Sequence, residues 1–224
     1  MHIGIVFWGL FVNRGGVQKF CADLVAAMVE RGHQVTAFYK HNKNALAAPL
    51  YPLPSTVPLL NLRLDGYARS PALRKSSIAK ARECIATSGV DVLVAPFSWS
   101  ELMFFPALLQ GTGIPFLVSE HSHPERINSE RWNRLEHEAC LSAADSIHVL
   151  SERFLPLYPD FLRARITPIP NTAALDIPHT PRLHTPNASI KRLLAAGRFI
   201  DDIKQYSLLI RAFAGVAAKF PDWR

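Results

Sequence analysis

The opening 40 residues constrain this chain more than any other stretch. HIGIVFW (2–8) is a short apolar run that Gly9 ends. Val17, Phe20, Cys21, Leu24, Val25 and Met28 follow at helical spacing, and Gly32 closes that helix. QVTAFYK (34–40) is a second strand. A strand, a helix and a strand in this length predict a parallel pair with a right-handed crossover.

The remaining pattern extends the same design. Pro49, Pro52, Pro54 and Pro58 mark an irregular connection, and VPLLNLRL (57–64) supplies an edge strand. Residues 71–88 read as a helix ended by Gly89. VDVLVAPF (90–97) is apolar on both faces, as a central parallel strand is. Helical pattern at 101–109 precedes a strand at 114–121, a helix at 129–143 and a strand at 146–151. A short helix at 152–157, limited by Pro159, and a last strand at 164–171 complete the set. The expected fold is α/β, a Rossmann-like parallel sheet with helices on both faces.

Residues 1–171 thus form one α/β domain. Residues 172–190 read as a linker, with Pro178, Pro181 and Pro186 among polar residues. RLLAAGRF (192–199) restarts a strand, and 206–220 restarts a helix with Leu208, Leu209, Ala212, Phe213 and Val216 on one face. The segment 191–224 is therefore expected to be the first strand and helix of an incomplete second domain. A lone strand and helix cannot bury their apolar faces unaided.

Composition narrows the class. At 49% hydrophobic and 19% charged, 224 residues supply an ordinary globular core. Apolar runs are broken well before a bilayer-spanning length of about 20 residues. The apolar start lacks a basic region and a small-residue cleavage site, so it does not read as a secretory signal. Cys21, Cys84 and Cys140 are odd in number and lie in helical patterns, which suits reduced core thiols in a cytoplasmic protein.

The net charge of +7 favours anionic partners. Residues 63–82 concentrate Arg63, Arg69, Arg74, Lys75, Lys80 and Arg82 against the single acid Asp65. With Tyr67 the one aromatic among them, no stacking series supports nucleic acid. A solvated helix face is the first reading. A peripheral contact with an anionic membrane at its inner face is the second.

Four motifs lie where chemistry collects in such a sheet, beyond the carboxyl ends of strands. Gly15-Gly16 at the start of the first helix lets a ligand approach backbone N–H groups, and a plain tight turn explains it equally well. The segment from Gly9 to Gly16 does not fit G-x-G-x-x-G, which counts against a dinucleotide. Ser119-Glu120-His121-Ser122-His123 ends a core strand. His121 is the candidate for polarising or hydrogen-bonding a substrate, and Glu120 is placed at the cleft beside it. The two histidines lack the Cys or acidic partners of a metal site, so no metal is expected. Pro170-Asn171 ends the last strand, with a turn as the plainer reading of Asn171. Arg198, with Lys204 six residues on, brings two cations beyond the restarted strand, where Arg matches phosphate oxygens bidentately.

In this order the motifs resemble the GT-B glycosyltransferases of the large retaining family 4, also called glycosyl transferase group 1. The matching residues are Gly15-Gly16-Val17-Gln18, Ser119-Glu120-His121, Ile169-Pro170-Asn171, and Ala196-Gly197-Arg198 with Lys204 before Leu208-Leu209-Ile210-Arg211-Ala212-Phe213. Lys204 is followed by Gln205 where the family usually has glycine.

The resemblance implies an N-terminal acceptor-side domain facing a C-terminal domain that holds a nucleotide-sugar donor. It gives His121 a contact with the transferred sugar and Gly16 an approach to the donor across the cleft. Arg198 and Lys204 would neutralise the diphosphate leaving group without a metal or other cofactor. The acceptor is expected to be a cell-surface glycan or a lipid-linked species, with the sugar transferred under retention. A non-catalytic, truncated acceptor-binding fragment is the alternative, because the family's later pair of glutamates has no counterpart here. A sugar-nucleotide epimerase of the same architecture fits less well.

Overall fold

The computed structural model describes the chain apart from residues 8, 12–14, 41–47, 65–70, 97–103, 126–133, 172–189, 198–203 and 224. It divides into two units, Met1–Ala173 and Ala174–Arg224.

Unit 1 is built on seven strands: β1 (His2–Phe7), β2 (Gln34–Tyr39), β3 (Leu59–Asn61), β4 (Val92–Pro96), β5 (Phe116–Glu120), β6 (Ser146–Val149) and β7 (Ile166–Pro168). Their order is β3-β2-β1-β4-β5-β6-β7, and every neighbouring pair is parallel. The chain runs outward from β1 to one edge, then returns and builds the other half from β4. Such a reversal opens a crevice at the carboxyl ends of the two strands flanking it.

Side-chain alternation sends successive residues of each strand to opposite faces. Val6, Phe38, Leu93, Ala95, Phe116, Val118, Ile147 and Val149 point to one face. There they pack against α2 (Pro71–Ala86), α3 (Phe105–Leu109), α4 (Arg134–Ser142) and α5 (Asp160–Arg163) through residues such as Ile85, Leu108, Leu141 and Leu162. Ile3, Ile5, Phe7, Val35 and Ala37 point to the other face, where α1 (Gly16–Glu30) covers them with Cys21, Ala22 and Val25. Helices thus lie on both faces, as the sequence predicts. The α1 side also holds an apolar groove of about 680 Å³ over β4 and β5, lined by Val92, Val94, Leu117, Phe20 and Leu24 among others.

Local chemistry explains several boundaries. Gly32 and Gly89 take positive φ values of 80° and 72°, and each follows a helix that a side chain at that backbone would strain. Arg82 of the basic segment is half-buried, its guanidinium donating to the Ala107 carbonyl, so it ties α2 to α3 rather than joining a solvated face. Lys75 and Lys80 are exposed. Cys21, Cys84 and Cys140 form no disulfide, and burial pushes the Cys21 thiol up to about 12.

Unit 2 departs from its expected pattern at the start. Residues 192–196 form no strand, and Lys191 makes one isolated parallel bridge to Trp223, supported by an ion pair to Asp222 at 2.8 Å. A strand needs a neighbour along its length to satisfy its backbone, and one bridge does not supply it. The helix α6 (Tyr206–Ala217) forms as expected.

The tightest packing constraint in the sheet falls on Gly4. A Cβ built there would meet Leu93 Cδ1 and Phe38 Cε2 at 2.8 Å and Val90 Cγ1 at 3.3 Å. Gly4→Val is therefore expected to overpack the core and lower stability by about 1–3 kcal/mol, read from urea unfolding. An unchanged urea midpoint would show that this contact is not close-packed.

Candidate active site

β5 and β6 bring the chemistry together. Their register pairs Ser119 with His148. Alternation places both on the α1 face, opposite to Val118 and Ile147. Ser119 Oγ lies 2.7 Å from His148 Nδ1 and 2.9 Å from Nε2 of His121, which follows the end of β5. His148 Nε2 lies 2.7 Å from the Ile169 carbonyl, just beyond β7. Asn171 Nδ2 approaches His121 Nδ1 at 3.5 Å. The carboxyl ends of three adjacent strands thus contribute one connected cluster.

Phe20 of α1 roofs this cluster. Its ring centroid is 4.4 Å from His121 and 5.8 Å from His148, nearly parallel to the latter at 20°. Ser119 and His148 are buried and His121 is partly covered. Burial, and secondarily the neighbouring His148, lower the His121 pKa from 6.5 to about 4. His121 is then a neutral imidazole at physiological pH, suited to hydrogen bonding with uncharged groups and unsuited to anchoring an anion by charge.

The cleft position expected for Glu120 is corrected. Its carboxylate is 1% exposed and shares the face of Phe116 and Val118. His137 Nε2 of α4 lies 2.6 Å from Oε1, and the Tyr158 hydroxyl donates to Oε2. Burial and the adjacent carboxylate push the Tyr158 hydroxyl pKa up, so it remains a donor. Both carboxylate oxygens are spoken for, and Glu120 anchors α4 to the sheet. The strand's period of two separates it from the two residues flanking it.

Gly15 caps α1 in extended backbone, with φ −150° and ψ 168°. Gly16 opens the helix, and a Cβ there would meet nothing within 4 Å. Arg198 lies outside the described residues. Within unit 2, Lys204 lies over Gly197, its Cε 3.7 Å from a Cβ built there, and the Tyr206 hydroxyl is 2.7 Å from the same point. Gln205 takes φ 52° and ψ 39°, left-handed backbone that glycine adopts freely. Among the described residues, no group of three or more His, Cys, Asp or Glu side chains could hold a metal. No helix of the described residues is long and apolar enough to cross a membrane.

Sequence reasoning missed His148 and Phe20 as members of the site. His148 is a single polar residue inside the apolar strand SIHV. That is a signal for a partnered histidine, but its partner depends on the β5–β6 register.

The depressed His121 pKa has a consequence for stability. The unfolded chain takes up this proton near pH 6.5, whereas the native chain resists it until about pH 4. The unfolded state therefore binds more protons within that window, and stability falls as pH drops through it. Above it this group adds no pH dependence. His121→Gln is expected to flatten the component between pH 6.5 and 4 in urea midpoints, and an unaltered profile would contradict the burial of this ring.

The model of the glycosyl transferase 4-like domain matches residues 15–172. Among solved structures, the lipopolysaccharide outer core galactosyltransferase WaaB in its apo form matches with a TM-score of 0.67 and 12% identity, over 100% of this chain and 59% of that one. Sucrose-phosphate synthase from Thermosynechococcus elongatus matches at 0.54 and 16%, over 75% and 47%. MurG from Acinetobacter baumannii matches at 0.52 and 10%, over 79% and 46%. The chain spans about half the length of these proteins, and at such identities the likeness is one of fold. No curated protein matches it. With the family model covering well over half of the residues, the chain belongs to the glycosyl transferase 4-like family, on the Rossmann-like half of a GT-B fold.

Proposed function

We propose that this chain serves a glycosyltransferase that moves a sugar from a nucleotide-diphosphate donor to a cell-surface glycan or lipid-linked acceptor, with retention. The observation that carries this reading is the family match over residues 15–172. In it, residues 1–171 are the acceptor-side domain, 172–190 a linker, and 191–224 the start of the donor-side domain.

Physical features of the site support the reading. A sugar presents hydroxyls, and the neutral His121 beside Asn171 offers uncharged hydrogen-bonding groups at the carboxyl edge of the sheet. Gly16 leaves open space before the first turn of α1, where backbone N–H groups favour an anionic ligand. Arg198 and Lys204 are assigned to the diphosphate, whose charge grows as the bond to the sugar breaks. No metal is required in this scheme, since the two cations take its place. The exposed Lys75 and Lys80 support a peripheral contact with anionic lipid, although Arg82 is committed to the Ala107 carbonyl.

Titration of the isotopically labelled chain with UDP- and GDP-sugars tests this assignment. Saturable binding by one of the two, with Kd no weaker than about 1 mM or roughly −4 kcal/mol, is expected. Arg198→Ala should weaken it by about tenfold or more, the effect of losing a charge-assisted hydrogen bond. The absence of saturable binding would favour a non-catalytic, acceptor-binding role for this chain instead. An Arg198→Ala chain that binds as well as the original would remove Arg198 from it.

A further inference from the structure

The contacts around His121 form a directed chain whose polarity can be read from one fixed end. A backbone carbonyl only accepts, so at 2.7 Å from the Ile169 oxygen, His148 Nε2 must be the protonated nitrogen and donate. If that ring carries a single proton, the one at Nε2, Nδ1 is a bare acceptor. The Ser119 hydroxyl, 2.7 Å away, therefore donates its one proton to His148. Ser119 Oγ then has only lone pairs left for His121, so His121 Nε2, at 2.9 Å, is protonated and donates. In the neutral imidazole this leaves His121 Nδ1 as an acceptor. The Asn171 amide, a donor through Nδ2 at 3.5 Å, faces it with matching polarity.

We propose that Ser119 and His148 are positioning residues that fix His121 in its Nε2-protonated tautomer, presenting the Nδ1 lone pair to ligand. Neither touches the proposed sugar; both act through His121. Phe20 limits the ring from its side at 4.4 Å and so restricts its orientation. A ligand hydroxyl can donate to Nδ1 while accepting from the Asn171 amide. A phosphate or carboxylate oxygen cannot donate to Nδ1, so the polarity selects a hydroxyl over an anion. The sugar identity of that hydroxyl rests on the function proposed above, whereas the tautomer does not.

Long-range proton–nitrogen correlation of the histidine imidazoles in the 224-residue chain reads the tautomer directly. The expected result is protonated Nε2 and bare Nδ1 for both His121 and His148. Ser119→Ala should lower the His121 tautomer ratio by about fivefold or more, the scale of one ordinary hydrogen bond. Ser119→Thr, which keeps the hydroxyl, should restore the ratio. His121 protonated at Nδ1 in the original chain would overturn the proposal even if no variant folds. An unchanged ratio in folded Ser119→Ala would also overturn it. Retention of the tautomer in a chain that binds no sugar nucleotide supports the positioning role and sinks the donor reading alone.

Discussion

The parallel sense of all seven strands is the constraint on which the site depends. When every strand runs the same way, every carboxyl end emerges at one edge of the sheet, and the connections to the helices gather there. His121 after β5, Ile169 after β7 and the start of α1 after β1 share that edge for this reason. A single antiparallel insertion among β5, β6 and β7 would move one member of the cluster to the far edge. The hydrogen-bonded register then sets the finer arrangement, placing Ser119 opposite His148.

Within this frame, alternation assigns neighbouring residues to different tasks. Ser119 and Glu120 are consecutive, both buried and both hydrogen-bonded, yet they belong to opposite faces. Glu120 secures α4 through His137 and is itself secured by Tyr158. Ser119 joins the histidine cluster under α1. The same strand thereby fixes a helix on one side and orients a candidate substrate group on the other. Replacing a partner of the buried carboxylate would leave a desolvated charge, which costs far more than the loss of an exposed hydrogen bond.

Much of this fold was legible in the residues. The apolar runs separated by helical patterns gave the strand–helix alternation, and the prolines at 49–58 marked the irregular connection correctly. The glycines after helices, Gly32 and Gly89, had direct structural meaning, whereas the crowding at Gly4 depends on strands far apart in sequence. The strand expected at 192–199 fails over its described part because apolar sequence supplies no neighbouring strand. Position at a strand's end identified His121, but position alone did not separate it from Glu120; the period of two, applied through to the last strand residue, would have done so. His148 and Phe20 depended on register and helix placement, which are long-range facts that no local pattern contains. The family resemblance added what spacing lacked, a reason for weak motifs to occur in this order, and the match over 15–172 bears out the family itself.

In the function proposed above, the carboxyl edge of this sheet presents His121 to a sugar hydroxyl. A crystal structure of the chain with a bound sugar nucleotide measures it most directly, through the separation between His121 Nδ1 and the nearest sugar oxygen. A hydrogen bond of about 2.7–3.2 Å is expected, with Ser119 and His148 unmoved behind the ring. A sugar bound away from His121, or a phosphate oxygen seated at Nδ1, would contradict it.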